Sequence, residues 1–290
     1  MLWTSRSAES MAEAMRQQGF EVTRNTMDRI LREDLGLGRR QAAKVLSLGT
    51  AQDRNEQFEC LEHWRQDFYG WRQPIISIDT KKKELIRNFH RPGACYTNGQ
   101  AKVLDHDFPN YGDGKAIPYG VYDVQANEGF VLLAQGSDTS DLAVDAVESW
   151  WKRLGQQRYP QAYKLLILGD CGGSNGYRLP RFREGLSELA KRIGLDIRMA
   201  HLPAYCSKYN PIEHRMFCHI HRAIKGIIFR SLTTIGDAMG KTTTSTGLRV
   251  VVDYAKKIYQ AGLKASQTFL DNDPTRRDEI LPHYNYELRC

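Results

Sequence analysis

The chain lacks any apolar run long enough to span a bilayer. Its first residues, Met1–Arg16, have no uninterrupted apolar core and do not read as a secretory leader. Cysteine is sparse and scattered: positions 60, 95, 171, 206, 218 and 290 contain no C-x-x-C pair. In a chain of 290 residues that excludes a disulfide framework and predicts reduced thiols in a cytoplasm. No internal repeat and no low-complexity tract is present, so solenoid architectures fall away. Nucleotide fingerprints are missing as well. In GDCGGSNG (169–176) the glycine spacing does not give G-x-G-x-x-G, and Tyr177 stands where a phosphate-cradling loop needs Lys. GDAMGKT (236–242) is one residue short of a P-loop and follows no clear strand.

What is present is a basic excess, with 41 Lys and Arg against 34 Asp and Glu. Its placement is uneven. Residues 1–72 carry 11 of each sign, so the whole surplus lies beyond residue 72. Such a surplus favours a polyanionic partner, because Lys and Arg release counterions from phosphates.

Residues 7–33 predict two short helices around a turn. SAESMAEAMRQQ aligns Met11, Ala12 and Met15, Gly19 breaks the run, and Thr23 caps a second helix with Met27, Ile30 and Leu31 inward. The spacing suits a helix-turn-helix presenting Arg24, Asn25 and Arg29 to DNA. It suits an ordinary helical hairpin equally well. Residues 34–54 read as a polar, Gly-containing linker and 55–70 as a helix, which divides the chain into 1–54 and 55–290. From Pro74 onward the pattern becomes IISID (75–79), a hairpin of PYGVYDV (118–124) and GFVLLAQ (129–135), a helix over 141–154 and the strand KLLILGD (164–170). A helix over 185–194, the strand LDIRMAHL (195–202) and a helix over 210–224 complete it. The alternation predicts an α/β domain with a mixed sheet flanked by helices.

Two of these strands end in a carboxylate: Asp79 and Asp170. Glu213 sits in the first turn of the helix opened by Asn210 and Pro211. Carboxyl ends of strands are where α/β sheets place ligand chemistry. Three carboxylates from separate elements suit Mg²⁺, a hard cation that takes oxygen ligands. Two such ions would serve phosphoryl transfer without any nucleophilic Ser or Cys. Each residue also has a plain structural reading: Asp79 as a strand-end cap, Asp170 as a turn residue, and Glu213 as the acid of a capping box begun by Asn210.

ISIDTKKKELIRNF, HDFP, GKAIPYGVYD, WWKRLGQQRYP, LLILGDCGGSNGYR, SKYNPIEHRMF and TTTSTGLRV occur in that order. Together they resemble the Rhodopirellula-type transposase family of bacterial insertion sequences, from about Trp3 to HYNYEL near the C-terminus. The resemblance implies an RNase H-like DDE domain with Asp79, Asp170 and Glu213 as the catalytic and metal-holding triad. It implies two Mg²⁺ ions, with Mn²⁺ as a substitute, in a polynucleotidyl transferase that nicks the element's ends and joins the freed 3′-OH to target DNA. It further implies double-stranded DNA as partner, a homo-oligomer assembled on that DNA, and a bacterial, nucleoid-associated location away from membranes. Two departures from the family pattern are expected to matter. Cys171 follows the second Asp in place of a small residue, and the chain starts later than family members, as an N-terminally truncated copy would. Rival readings are an RNase H-like nuclease and a catalytically inactive DNA-binding remnant of a mobile element.

Lys81, Lys82 and Lys83 just after Asp79, and Arg178 beyond Asp170, are candidate phosphate contacts, and a solvated charged face is the alternative for each. His201, Cys206, His214, Cys218, His219 and His221 form a Cys/His-rich stretch whose spacing matches no closed zinc site. Buried thiols and satisfied histidines are the expected reading. Trp150 and Trp151 are expected in the core.

Overall fold

The structure is a computed structural model and describes residues 4–40, 53–99 and 101–290. It divides into two compact units, Met1–Leu48 and Gly49–Cys290. Most of the expected linker, 41–52, lies outside the described residues.

In the first unit, α1 (Ala8–Gln17) starts where the Ser7 side chain accepts from Ser10 N–H. α2 (Arg24–Arg29) is capped in the same way by Thr23 accepting from Thr26 N–H, and runs on as a π turn, Ile30–Asp34. Ala12 and Met27 are its buried residues, a small core between two helices. Arg24, Asn25 and Arg29 are exposed.

The second unit opens with α3 (Arg54–Gly70). It continues through β1 (Ile75–Thr80), β2 (Glu84–Leu85), β3 (Lys115–Asp123) and β4 (Glu128–Gln135). Next come α4 (Ser140–Trp150), a π turn, α5 (Gln156–Arg158), β5 (Lys164–Gly169), α6 (Pro180–Ile193) and β6 (Asp196–His201). A π turn (Glu213–Phe217) leads into α7 (Cys218–Ala223), followed by α8 (Leu232–Gly240), β7 (Arg249–Tyr254), α9 (Gln267–Asp271), β8 (Arg276–Arg277) and β9 (Asn285–Leu288).

Among the described residues the strands form one sheet in the order β7-β4-β3-β1-β5-β6-β9-β8, with β2 on β3. β1, β3 and β4 are antiparallel neighbours, while β5 and β6 join β1 in parallel. A meander followed by two parallel crossovers is the RNase H-like arrangement, so the α/β expectation holds. The hairpin turn falls at Asn127, whose φ of 52° suits Asn.

Alternation along β1 divides the core. Ile76 and Ile78 pack with α4 and α6 through Leu142, Val147, Trp150, Phe182 and Leu186. Ile75 shares the opposite face with Leu166, Leu168 and the α3 residues Leu61 and Phe68. Trp150 and Trp151 are both buried, as expected. Residues 236–240 of GDAMGKT lie inside α8, so the segment is no phosphate loop. No helix among the described residues is long and apolar enough to cross a membrane.

Candidate active site

The β1–β5 register pairs Ile75 with Leu166 and Ser77 with Leu168. The ladder ends there; Asp79 and Asp170 lie two residues beyond it on the two chains, near enough for the Asp170 charge to act on Asp79. Side chains alternate along a strand, so both carboxylates emerge on the Ser77 face of the sheet. Ser77 explains why Glu213 joins them. Its hydroxyl donates to the Asn210 side-chain oxygen and accepts from Ile212 N–H at 3.1 Å. Asn210 is fully buried and its amide donates to Ile78 O at 3.2 Å. Asn210 therefore cross-links β1 to the start of the Glu213 helix. Its side chain does not cap that helix, as the capping-box reading required.

Close approach is built in at two glycines. A Cβ on Gly120, which pairs with Asp79, would stand 2.6 Å from Phe217 and 2.8 Å from Ile212. A Cβ on Gly169 would stand 2.8 Å from both Asn175 Nδ2 and Met199 Cε. The first lets the Glu213 helix lie on the sheet. The second lets the loop after β5 fold back, so that Asn175 donates to Asp170 Oδ1 at 3.4 Å.

The three carboxyls feel one another. Burial first, then the negative charge of Asp170 and of Glu213, push Asp79 up to about 8, against the Thr80 N–H that Asp79 Oδ1 accepts at 2.7 Å. Burial also raises Asp170 and Glu213. Among the described residues no Lys or Arg forms an ion pair with any of the three. Among the described residues, equally, no group of three or more His, Cys, Asp or Glu converges closely enough to hold a metal ion. The carboxyls are electrostatic neighbours with surplus negative charge, rather than a closed ligand set. As donors they are hard oxygens, the type a divalent cation such as Mg²⁺ takes.

Asp138, Tyr119 and Ser174 escaped the sequence reading, and His201 was read there only as a satisfied histidine. Asp138 accepts from Thr80 Oγ1 at 3.0 Å and adds negative charge beside Asp170. Tyr119 is fully buried near these acids, beside Ser174. His201 is fully buried, which pushes it down to about 4, so it is neutral at physiological pH. Its Nδ1–H donates to Asp170 O at 2.9 Å and its Nε2 faces Tyr286 OH at 3.3 Å. In the sequence it was one of the Cys/His-rich stretch, the next-to-last residue of an apolar strand. Cys171 is accommodated: its thiol donates to Leu202 O at 2.7 Å, and burial with the Asp170 charge pushes it up to about 12. The Cys/His-rich stretch assembles no metal cluster among the described residues.

The lysines after β1 have separate fates. Lys81 is buried and bound to Glu84 at 2.7 Å, and Arg91 holds the other Glu84 oxygen at 2.6 Å. Lys82 and Lys83 are exposed. Arg178 is exposed too, with Nε donating to Tyr177 OH at 2.8 Å.

No curated protein sequence matches the chain. Among solved structures it is similar to the Mos1 transposase paired-end complex with left transposon end, at 17% identity and a TM-score of 0.45. It is also similar to the Mos1 mariner paired end complex with Mn, at 14% and 0.47, and to a pre-cleavage Mos1 transpososome, at 15% and 0.47. Each match covers 80% of this chain and 65% of the Mos1 chain. A family model described as the Rhodopirellula transposase DDE domain matches residues 1–290, the full length of the sequence, and the chain belongs to that DDE-type transposase family.

Proposed function

We propose that this chain is a DNA transposase whose residues 55–290 form the catalytic domain. In this reading Asp79, Asp170 and Glu213 hold the divalent cations that support strand cleavage and strand transfer. One observation supports it: two carboxylates follow neighbouring parallel strands, the charge of one acts on the other, and a third stands on a helix that Asn210 ties to the same strand. When bound, two Mg²⁺ ions would supply Lewis acidity at the attacking and leaving oxygens of an in-line displacement. The protein's own part is positioning. His201 holds the Asp170 main chain, Asn175 orients its carboxyl, and the Ser77–Asn210 pair fixes Glu213. Burial and the neighbouring negative charges raise Asp79, and a bound cation would offset both.

DNA is the partner this reading requires. Exposed Lys82, Lys83 and Arg178 would meet phosphates near the carboxylates, while Lys81 acts through its ion pair with Glu84. Arg24, Asn25 and Arg29 on α2 would meet DNA from the first unit. Bringing two element ends together calls for a homo-oligomer on DNA.

The test is nicking and joining of plasmid DNA carrying the element's flanks, with Mg²⁺ or Mn²⁺. Asp79→Asn, Asp170→Asn and Glu213→Gln should each abolish both steps while the folded content is retained. Nicked products without joined ones would select a nuclease. Activity retained in all three variants would remove the triad.

A further inference from the structure

The segment Lys81–Lys83 stands between two recesses. One, of about 460 Å³, runs toward the Glu213 helix and is lined by Lys82, Glu213, Phe217, Arg222 and Lys225. The other, of about 490 Å³, lies on the far side and is lined by Thr80, Lys83, Pro109, Lys115 and Asp138. Lys81 and Lys82 border both. Lys82, Lys83, Lys115, Arg222 and Lys225 are all exposed, and none makes an ion pair among the described residues. Each recess thus offers free positive charge beside a carboxylate.

The recesses differ in one respect. The short turn Pro109–Tyr111 that supplies Pro109 also carries two large aromatics. Phe108 is 50% and Tyr111 45% exposed, and their rings meet edge to face at 5.5 Å. Exposed aromatics beside a basic groove form a stacking platform, and a base can use it only when unpaired. In the Glu213-side recess Phe217 is buried beneath the charges, and the exposed ring in its lining is the small imidazole of His221.

Displacement at a phosphorus has the entering and leaving oxygens on opposite sides, so a strand being cut or joined crosses the carboxylates and needs a track on each side. Building on the transposase reading above, we propose that the two recesses are unequal strand tracks. The Lys83–Lys115 recess, with Phe108 and Tyr111, holds the unpaired terminal nucleotides of a DNA end. The Arg222–Lys225 recess holds the backbone of continuous duplex, read through its phosphates alone.

The test is binding in EDTA, so that it does not depend on catalysis. The full chain is titrated against a short duplex ending in an unpaired 3′ overhang with 2-aminopurine at its tip, and against the fully paired duplex. The overhang should bind roughly tenfold more tightly, with 2-aminopurine fluorescence quenched by stacking. Phe108→Ala with Tyr111→Ala should remove both the preference and the quenching, while binding to paired duplex is unchanged. Arg222→Gln with Lys225→Gln should weaken binding to the paired duplex and spare the quenching. All these side chains are exposed, and a melting curve checks each fold. Equal affinity for both DNAs, or quenching that survives loss of the two aromatics, would overturn the proposal. Cleavage assays on the same variants separate this outcome from failure of the triad, since they report on Asp79, Asp170 and Glu213 independently.

Discussion

Replacing Asp79 by Asn should make the protein more stable, and increasingly so as pH rises. The Asp79 carboxyl moves from an ordinary 3.8 to about 8 on folding. The folded state therefore binds this proton more tightly than the unfolded chain does. Its stabilising contribution is complete below 3.8 and is lost as pH climbs toward 8. At about pH 7 the cost has a ceiling of about 1.4 kcal/mol for each of roughly three pH units, or about 4 kcal/mol. Solvent reaching the partly exposed carboxyl screens much of that, leaving an expected gain of about 1–2 kcal/mol for Asp79→Asn. Asn still offers an oxygen to Thr80 N–H, so no hydrogen bond need be lost. In a unit of this size the gain corresponds to a rise of roughly 3–6 °C in melting temperature. Thermal melts of both proteins from pH 5 to pH 8 should diverge steadily, with the wild type falling relative to the variant. Added Mg²⁺ should stabilise the wild type more than the variant, because a ligand that binds the folded state raises its stability. A variant no more stable than wild type at neutral pH, or a gap that does not widen with pH, would refute the claim that burial and the neighbouring carboxylates raise Asp79 in the folded protein.

Three further outcomes follow from the packing. Gly120→Ala drives a methyl against Phe217 and Ile212; it should cost about 1–3 kcal/mol in urea denaturation and lose cleavage out of proportion, because Glu213 rides on that helix. Asn210→Ala strands the Ser77 hydroxyl and Ile78 carbonyl, a cost of about 1–3 kcal/mol, and adding Ser77→Ala should cost much less than the sum in a double-mutant cycle. Glu84→Gln removes the counter-charge of buried Lys81 and of Arg91, for which about 3–5 kcal/mol is expected; a loss below about 1 kcal/mol would show that Arg91 stacked 3.9 Å over Phe229 suffices to hold the segment.

The strands that end in Asp79 and Asp170 were readable because each is an apolar run stopped by a polar residue, and periodicity reports that locally. That the two strands pair side by side was not readable, since register is a relation between segments some 90 positions apart. Asn210 shows the same limit. Asn-Pro opening a helix is a local signal of a cap, and nothing local says that its amide is spent on Ser77 and Ile78 instead. Lys81, Lys82 and Lys83 are alike as letters, yet the backbone buries the first against Glu84 and leaves the others in solvent. Asp138 lies in a polar turn with no pattern to single it out. Its place beside Thr80 comes from where β4 ends.

The last strand gives the fold an order in time. β9 pairs with β6, and Asn285 exchanges hydrogen bonds with Gln57 on α3, which also donates to His201 O. The partners are 228 positions apart, and contacts so distant in sequence close slowly. Until β9 arrives, the β6 edge is an open row of backbone donors and acceptors beside a nearly complete sheet, a template for pairing with another chain. His201, which holds Asp170, is also without its Tyr286 neighbour during that interval. A growing chain therefore carries Asp79, Asp170 and Glu213 well before the β9 side of their surroundings is in place.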